Sequence, residues 1–421
     1  MAALLRYSTK AAPCDLVGTG ADALIGRNIF DGSFPSPLVV ARADAIKHNL
    51  ATMSEFCRLH GAQLAPHAKT TMSPALITRQ IAHGAWGVTV ANAVQARTLS
   101  HHGVRRILIA NQLINEPAIT WAFDAVEQGL DLYCFVDSIE GLDRLNCVDR
   151  LDRDRAERIS VLVEIGRSGG RSGVRSLDEA ITLAEQASAV PSVRCAGIAG
   201  YEGVFLSAHD SAHDHANDHD RQAVQEYLRV LAASFERIAG LGLFEAGDAP
   251  VVTAGGSACF DDVVNILGPV AQNHGAELVL RSGCYITHDD GFYRRVSPLR
   301  SHPDLPSFRP ALEAIAQVTS RPEPALALVD LGKRDVSFDE GLPVPLWRQR
   351  RGKRVAVPNS WRVSRLMDQH GFLSVDPKDE LAVGDLVSFG ISHPCTTFDK
   401  WTHIPEVGDD GTIVAVVSTE F

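Results

Sequence analysis

Long apolar runs are the most conspicuous shortage of this chain. No stretch approaches the ~20 consecutive apolar residues that a bilayer-crossing helix needs, so a membrane partner is not expected. The opening segment Met1-Ala2-Ala3-Leu4-Leu5-Arg6-Tyr7-Ser8 has no apolar core adequate for a secretory leader. CxxC spacing is absent as well. The eight cysteines, at positions 14, 57, 134, 147, 195, 259, 284 and 395, are scattered; in a chain of this size they read as reduced, mostly buried thiols of a cytoplasmic protein. Positive charge is in deficit too. A formal net charge of -11 argues against a nucleic-acid or anionic-membrane surface, because phosphate backbones are held by clustered Lys and Arg.

What is present is a soluble globular composition, 45% hydrophobic and 22% charged over 421 residues. That length exceeds one ordinary core, so two domains are expected. Eight short, nearly continuous apolar runs, at 63–69, 86–92, 106–111, 132–137, 160–165, 194–201, 251–255 and 277–281, alternate with helix-like segments such as 73–83, 93–102, 138–145 and 177–186. Continuous hydrophobicity suits strands covered on both faces. The alternation fits an open doubly wound sheet or a closed (β/α)8 TIM-type barrel. The position of the polar residues favours the barrel: Lys69, Asn92, Asn111, Asp137, Gly166, Tyr201, Gly255-Gly256-Ser257 and Ser282-Gly283 end the runs, and a barrel carries its site on that face.

Beyond about residue 310 the texture changes to short strand-like segments, at 311–320, 325–331, 361–369, 385–391 and 412–418, separated by Gly, Pro and charged turns. This predicts a second, mostly β domain. The expected organisation is therefore a partly extended N-terminal arm at 1–36, a segment at 37–60 leading into the barrel, the barrel at 61–305, and the β domain at 306–421. The strand-like Pro37-Leu38-Val39-Val40, with a helix-like stretch at 43–59 after it, is able to pair with the β domain. The His- and Asp-rich stretch from His209 to Asp220 has competent metal donors but no scaffold to fix them, and reads as an exposed loop leading into a helix at 221–239.

Four segments carry chemistry. Lys69, in Pro66-His67-Ala68-Lys69-Thr70, ends an apolar run. A lysine there either snorkels to water or is a buried amine whose lowered pKa suits a Schiff base with a carbonyl cofactor. Glycines let backbone N–H groups approach a phosphate. Thr253-Ala254-Gly255-Gly256-Ser257 and Arg281-Ser282-Gly283-Cys284-Tyr285 follow the seventh and eighth runs, whose loops form the usual phosphate cradle of a barrel; Ser257 and Tyr285 would add hydroxyl donors. After the fifth run, Arg171 lies in a glycine-rich loop and either reaches a phenolate or carboxylate or stays at the surface. Finally, Ser392-His393-Pro394-Cys395-Thr396-Thr397 follows a strand-like run. In extended backbone His393 and Cys395 point to one side, and imidazole with thiolate suits Zn²⁺ with open positions, a catalytic arrangement. Asp399 is either a further ligand or a carboxylate behind one.

Together these segments resemble the metal-activated branch of the alanine-racemase-like, fold type III pyridoxal phosphate enzymes, which contains D-serine dehydratases and D-threonine aldolases. Pro66-His67-Ala68-Lys69-Thr70 is similar to the family's PHxKT segment and His393-Pro394-Cys395-Thr396-Thr397 to its HxCxT segment. The stretch Gly332-Lys333-Arg334-Asp335-Val336-Ser337-Phe338-Asp339 resembles one that recurs at the start of the second domain. The resemblance implies that Lys69 holds pyridoxal 5'-phosphate, that Gly256, Ser257, Gly283 and Tyr285 hold its phosphate, and that Arg171 nears its phenolic oxygen, although this loop is two residues longer than the usual Asp-x-Gly-x-x-Arg spacing. Arg281 sits where the racemases place an arginine facing the pyridine nitrogen. Tyr201 falls where the dehydratases carry an active-site tyrosine, yet their following His-x-Gly is replaced by Glu202-Gly203. His393 and Cys395 match zinc ligands of the dehydratases, whereas the aldolases more typically show Asp at the second position and use a harder metal such as Mn²⁺. The implied activity is elimination of water from D-serine or a related 3-hydroxy D-amino acid, giving a 2-oxo acid and ammonia, with retro-aldol cleavage as the alternative. The implied assembly is a homodimer.

Overall fold

The computed structural model describes residues 4–146, 158–206, 218–245 and 249–421. Its contacts divide the chain into two compact units, one of Met53–Lys69 and Ile77–Gly283, the other of Met1–Thr52, Thr70–Leu76 and Cys284–Phe421.

The first unit is a (β/α)8 barrel. Gln63–Leu64, Val88–Val90, Arg106–Gln112, Asp131–Val136, Ile159–Ile165, Val193–Gly200, Val251–Ala254 and Glu277–Leu280 form one parallel sheet in which the second to eighth strands pair in sequence order and the first pairs with the last. Closure between the first two strands is thin. Pro66 lacks an N–H and shortens the first strand to two residues, so the ring is completed by Trp86 N–H to the Leu64 carbonyl at 2.8 Å, Thr89 N–H to the Pro66 carbonyl at 3.0 Å, and an isolated bridge between His67 and Thr89. Side chains of Leu108, Tyr133, Phe135, Leu162, Val251 and Val279 fill the interior, as expected of a barrel that is a packed core. The helices between strands follow the apolar spacing closely: Pro74–Ala82, Ala93–His101, Ile139–Asn146 and Leu177–Ala189. The last opens on a capping box between Ser176 and Glu179, which satisfies two of the N–H groups that a helix start leaves unpaired. Most of the His- and Asp-rich stretch, 209–217, lies outside the described residues; the helix after it runs Asp218–Gly240.

The second unit is built on a ten-stranded sheet. Leu38–Arg42 sits inside it, antiparallel to Leu312–Glu323 and parallel to His403–Val407. Four of its strands are not visible as strand patterns in the sequence: Val344–Arg350, Lys353–Ala356, Gly371–Ser374 and His403–Val407. The first is half-exposed and the second mostly exposed, both carry Arg or Lys, and the last is interrupted by Pro405, so composition hides them. The N-terminal arm is corrected from the extended form expected. It is a run of turns and short 3₁₀ helices whose Leu5, Ala21, Leu24 and Ile29 are buried with Val40, Ile315, Val407 and Ile413. Apolar burial, at ~25 cal/mol per Å², explains why this segment folds down. Among the described residues, no helix is long and apolar enough to cross a membrane.

Candidate active site

In the barrel unit the polar ends of the strands converge as anticipated, but the individual roles differ from expectation. Lys69 lies in the 3₁₀ turn Ala68–Thr70 that follows the shortened first strand, and its side chain is exposed. Of the two placements open to this lysine, the solvent-reaching one is observed: Pro66 ends the strand early and leaves the side chain outside the packed interior. The more unusual residue is His67, two positions earlier, to which the sequence reading gave no role. Its backbone is bonded into the barrel by a 3.2 Å contact to the Arg281 carbonyl, and its Nδ1 is buried without a hydrogen-bond partner. Burial, and then the positive charges of Lys69, Arg281 and Arg171, hold its pKa well below the ordinary value, so the ring is neutral. Three cations acting on one neutral imidazole make this end of the barrel suited to an anion.

Arg281 is itself buried. Its guanidinium donates to Thr253 Oγ1 at 2.8 Å and to the Gly200 carbonyl, and it stacks 5.6 Å from the Phe135 ring. Burial pulls its pKa down, opposed by Glu202, Tyr227 and Glu164. Arg171 lies over the Tyr201 ring at 4.6 Å, a cation–π contact that fixes the arginine of the longer loop against the expected active-site tyrosine. Tyr201 is placed by Tyr227, whose hydroxyl accepts the Tyr201 N–H at 3.0 Å and donates to the Ile165 carbonyl at 2.6 Å.

The glycine loop after the seventh strand holds a finding that the sequence did not disclose. Gly255 has φ +98°, and a Cβ there would lie 2.8 Å from Leu280 Cδ2, so only glycine fits. The N–H groups of Gly255, at 3.0 Å, and of Gly256 both donate to the carboxylate of Glu202, which is fully buried. The expectation that Gly256 offers its N–H to a phosphate is therefore corrected: an internal carboxylate holds it. Ser282 Oγ donates to the Gly255 and Gly256 carbonyls at 3.1 and 3.0 Å, which fixes the other side of the loop. Ser257 is partly exposed beyond the clamp and Gly283 is buried at the end of this unit.

In the β unit, His393 and Cys395 do lie in one segment, but not on extended backbone. Pro394 is helical, with φ -60° and ψ -40°, and Cys395 opens the short helix Cys395–Phe398. The two-residue alternation of a strand is thus not what relates them. His393 Nδ1 is 2.6 Å from Asp339 Oδ2, and Thr396 Oγ1 donates to the other Asp339 oxygen at 2.9 Å. Asp399, the carboxylate singled out from the sequence, instead meets Lys400 at 3.3 Å. Asp339 ends the recurring stretch noted above, and the same stretch supplies Ser337, which accepts the His393 N–H at 3.2 Å. A carboxylate on Nδ1 is the usual way to fix a metal-binding imidazole with Nε2 as donor.

Cys395 Sγ lies 3.5 Å from Cys284 Sγ and 3.5 Å from Thr70 Oγ1, and Thr70 Oγ1 is 3.7 Å from Cys284 Sγ. Hydrogen bonding from Cys395 outweighs burial and, with contributions from Tyr293 and Thr70, brings the Cys284 thiol down to about 6. Tyr285, beside it, is buried 5.9 Å from the Phe308 ring. No disulfide joins the seven described cysteines, and among the described residues no group of three or more His, Cys, Asp or Glu side chains is arranged to hold a metal.

Both implied groups fit the residues present. The orphaned Nδ1 of His67, beside an accessible lysine among cations, suits an anionic carbonyl cofactor. The donor chemistry of an Asp-bound imidazole and a neighbouring thiol suits a borderline-soft divalent ion.

The model for "Alanine racemase, N-terminal domain" matches residues 42–257, and that for "Putative serine dehydratase domain" matches residues 311–407. The chain is 26% identical over 368 residues to a D-threonine aldolase of Arthrobacter sp, with 86% of each chain covered. A D-threonine aldolase from Filomicrobium marinum has a similar fold, with a TM-score of 0.77 at 24% identity over 94% of this chain and 97% of that one. A D-threo-3-hydroxyaspartate dehydratase from Delftia sp. HT23 is similar at a TM-score of 0.70 and 21% identity, over 92% and 97%.

Proposed function

The chain belongs to the alanine racemase N-terminal domain family of fold type III pyridoxal phosphate proteins, and we propose that it is a metal-activated lyase that eliminates water from a 3-hydroxy D-amino acid, D-serine or a related substrate, to give a 2-oxo acid and ammonia. The observation that carries elimination over other outcomes is the thiol at Cys395, two residues after an imidazole oriented by Asp339. A thiolate with a histidine favours zinc over harder ions.

Pyridoxal phosphate, when bound, supplies the electron sink that acidifies the Cα hydrogen of an amino acid. A divalent ion on His393 and Cys395 would supply Lewis-acid pull on the β-oxygen. The chain's own groups do the rest. Lys69 would hold the cofactor, and its Nζ is the base that takes the Cα proton. His67, neutral under three positive charges, leaves those charges available to the anionic groups of cofactor and substrate. Tyr201, pinned by Arg171 and Tyr227, is fixed as a hydroxyl at the same end of the barrel. Ser257, Gly283 and Tyr285 are the phosphate-holding residues in this reading, with Gly255 and Gly256 shaped by Glu202 instead. The C–O bond of the substrate breaks with the oxygen leaving as water, and the enamine released hydrolyses to the 2-oxo acid and ammonia. A homodimer is part of the same reading, and sedimentation of the purified protein tests it.

Retro-aldol cleavage to glycine and an aldehyde is the second reading. The D-threonine aldolase relative favours it. One assay separates the two: protein loaded with cofactor and zinc or manganese is incubated with D-serine, D-threonine, D-hydroxyaspartate and their L forms. A 2-oxo acid and ammonia are expected from the D forms; glycine with an aldehyde would overturn elimination.

A further inference from the structure

We infer that Cys284 and Cys395 form a reversible redox modification site: a hydroperoxide converts the two thiols into one disulfide, and that bond takes the Cys395 sulfur away from the metal. The second half of this statement rests on the metal-activated reading above; the disulfide itself does not. The ground is where the two sulfurs lie. They are 3.5 Å apart within one unit. A formed bond spans about 2.05 Å, so rotations about the two Cα–Cβ bonds have only about 1.5 Å to close. Of the seven described cysteines, these are the two whose sulfurs meet.

The pair is asymmetric in a way that assigns each thiol a part. Cys395 opens a short helical turn and is partly exposed, whereas Cys284 is buried at the start of the turn Cys284–Ile286. An oxidant therefore meets Cys395 first and finds Cys284 behind it, the arrangement of a sensing and a resolving thiol. The resolving side is held in place: His288 N–H donates to the Cys284 carbonyl at 2.7 Å, and Asn49 Nδ2 donates to the Ile286 carbonyl at 3.1 Å. Thr70 Oγ1 lies against both sulfurs, at 3.5 and 3.7 Å, and keeps them side by side. The other buried thiols lack such access. Burial pushes Cys57, Cys134 and Cys195 up to about 12, which leaves them little thiolate to react.

The chemistry closes on these two residues and one peroxide. The Cys395 thiolate attacks a peroxide oxygen, the O–O bond breaks, and the leaving oxygen takes a proton and departs as water, or as an alcohol from an organic hydroperoxide. Cys395 is then a sulfenic acid. The Cys284 sulfur attacks it, the S–S bond forms as the S–O bond breaks, and the second oxygen leaves as water. The two sulfurs lose the two electrons that the peroxide gains, and a dithiol reverses the change. A disulfide sulfur carries no thiolate charge, so the ion loses its soft donor.

The test uses the full-length protein and two readouts that need no turnover. Reduced protein, freed of reductant and of added metal, is treated with hydrogen peroxide, alkylated and digested without reduction. Mass spectrometry is expected to find the peptides of Cys284 and Cys395 joined, lighter by two hydrogens, and separate again after dithiothreitol. The exposed Cys14 should join neither. Zinc affinity, read by competition with a chromogenic chelator, should fall by more than about tenfold in the oxidised protein, the least that disturbing a metal ligand's support costs, and return on reduction. Cys284→Ser should keep the zinc affinity of the reduced protein, lose the cross-link, and leave a Cys395 sulfenic acid that dimedone traps. If both cysteines of the native chain remain alkylatable after peroxide, or Cys395 runs on to the sulfinic acid with Cys284 free, the inference is overturned. A cross-link in a chain that binds no zinc even when reduced would overturn the metal reading and, with it, the loss of a donor. Zinc binding without a cross-link would leave the metal reading standing and end this one.

Discussion

The carboxylate of Glu202 accepts the N–H of Gly255 at 3.0 Å and also that of Gly256, so a buried negative charge occupies the backbone donors that a phosphate would otherwise seek. Glu202→Ala would take this acceptor from both N–H groups, leaving that of the buried Gly255 unsatisfied. Losing charged hydrogen bonds in this way costs roughly 2–4 kcal/mol. The expected outcome is a lower urea midpoint together with weaker pyridoxal phosphate binding, followed by its absorbance. A variant with native stability and native cofactor affinity would show that the clamp has no part in shaping the loop.

Lys69→Ala should remove the long-wavelength absorbance of bound cofactor and all lyase activity. Because the side chain is exposed, the substitution is expected to shift stability by no more than about 0.5 kcal/mol. An unchanged spectrum refutes the assignment of this lysine.

Asp339→Ala should loosen the metal without unfolding the chain. Removing the carboxylate behind a metal-bound imidazole typically lowers affinity by about 10–100-fold, measurable by competition with a chromogenic chelator. His393 would lose its 2.6 Å partner while Cys395 keeps its own contacts.

Metal removal should abolish activity and zinc should restore it. Full dehydratase activity in rigorously chelated protein would end the Lewis-acid role.

His288 gives a pH prediction. Burial, and then Arg294, lower its pKa from 6.5 to about 4 in the fold. Between those values the unfolded chain binds the proton and the folded chain does not, so stability rises with pH from about 4 to about 6.5. His288 sits at φ +47°, a conformation that Asn accepts. His288→Asn should therefore be the more stable protein at acid pH, by up to roughly 3 kcal/mol near pH 4, with the gain vanishing above pH 6.5. Asp290, raised by burial to about 6, acts in the opposite sense: the folded chain holds its proton longer, so this group makes stability fall as pH rises toward 6. Denaturant titrations of the two single variants across pH 4 to 7 separate the terms.

The barrel was legible in the sequence because strands covered on both faces must be continuously apolar; all eight expected runs contain or overlap observed strands. The β unit was less so. Strands such as Val344–Arg350, with Arg348 and Arg350, satisfy their pairing through the backbone and leave no alternation to read. At the site, Lys69, His393 and Cys395 were visible from residue type and spacing. Asp339 and Glu202 were not, since each acts on a residue 54 or 53 positions away. A carboxylate's role there depends on tertiary placement that spacing does not carry. His67 had a signal in hindsight: an imidazole inside an otherwise apolar run next to Pro66.

Leu38–Arg42 occupies an interior position of the second unit's sheet, between Leu312–Glu323 and His403–Val407. On the ribosome this segment emerges long before either neighbour. At ≈ 5–20 residues per second, it waits on the order of tens of seconds. The complete ring of parallel strands, ending at Leu280, is translated in that interval. Assembly of the sheet is thus a late, post-barrel event, and a chain truncated before residue 403 would leave a central apolar strand with one naked edge and a strong tendency to aggregate.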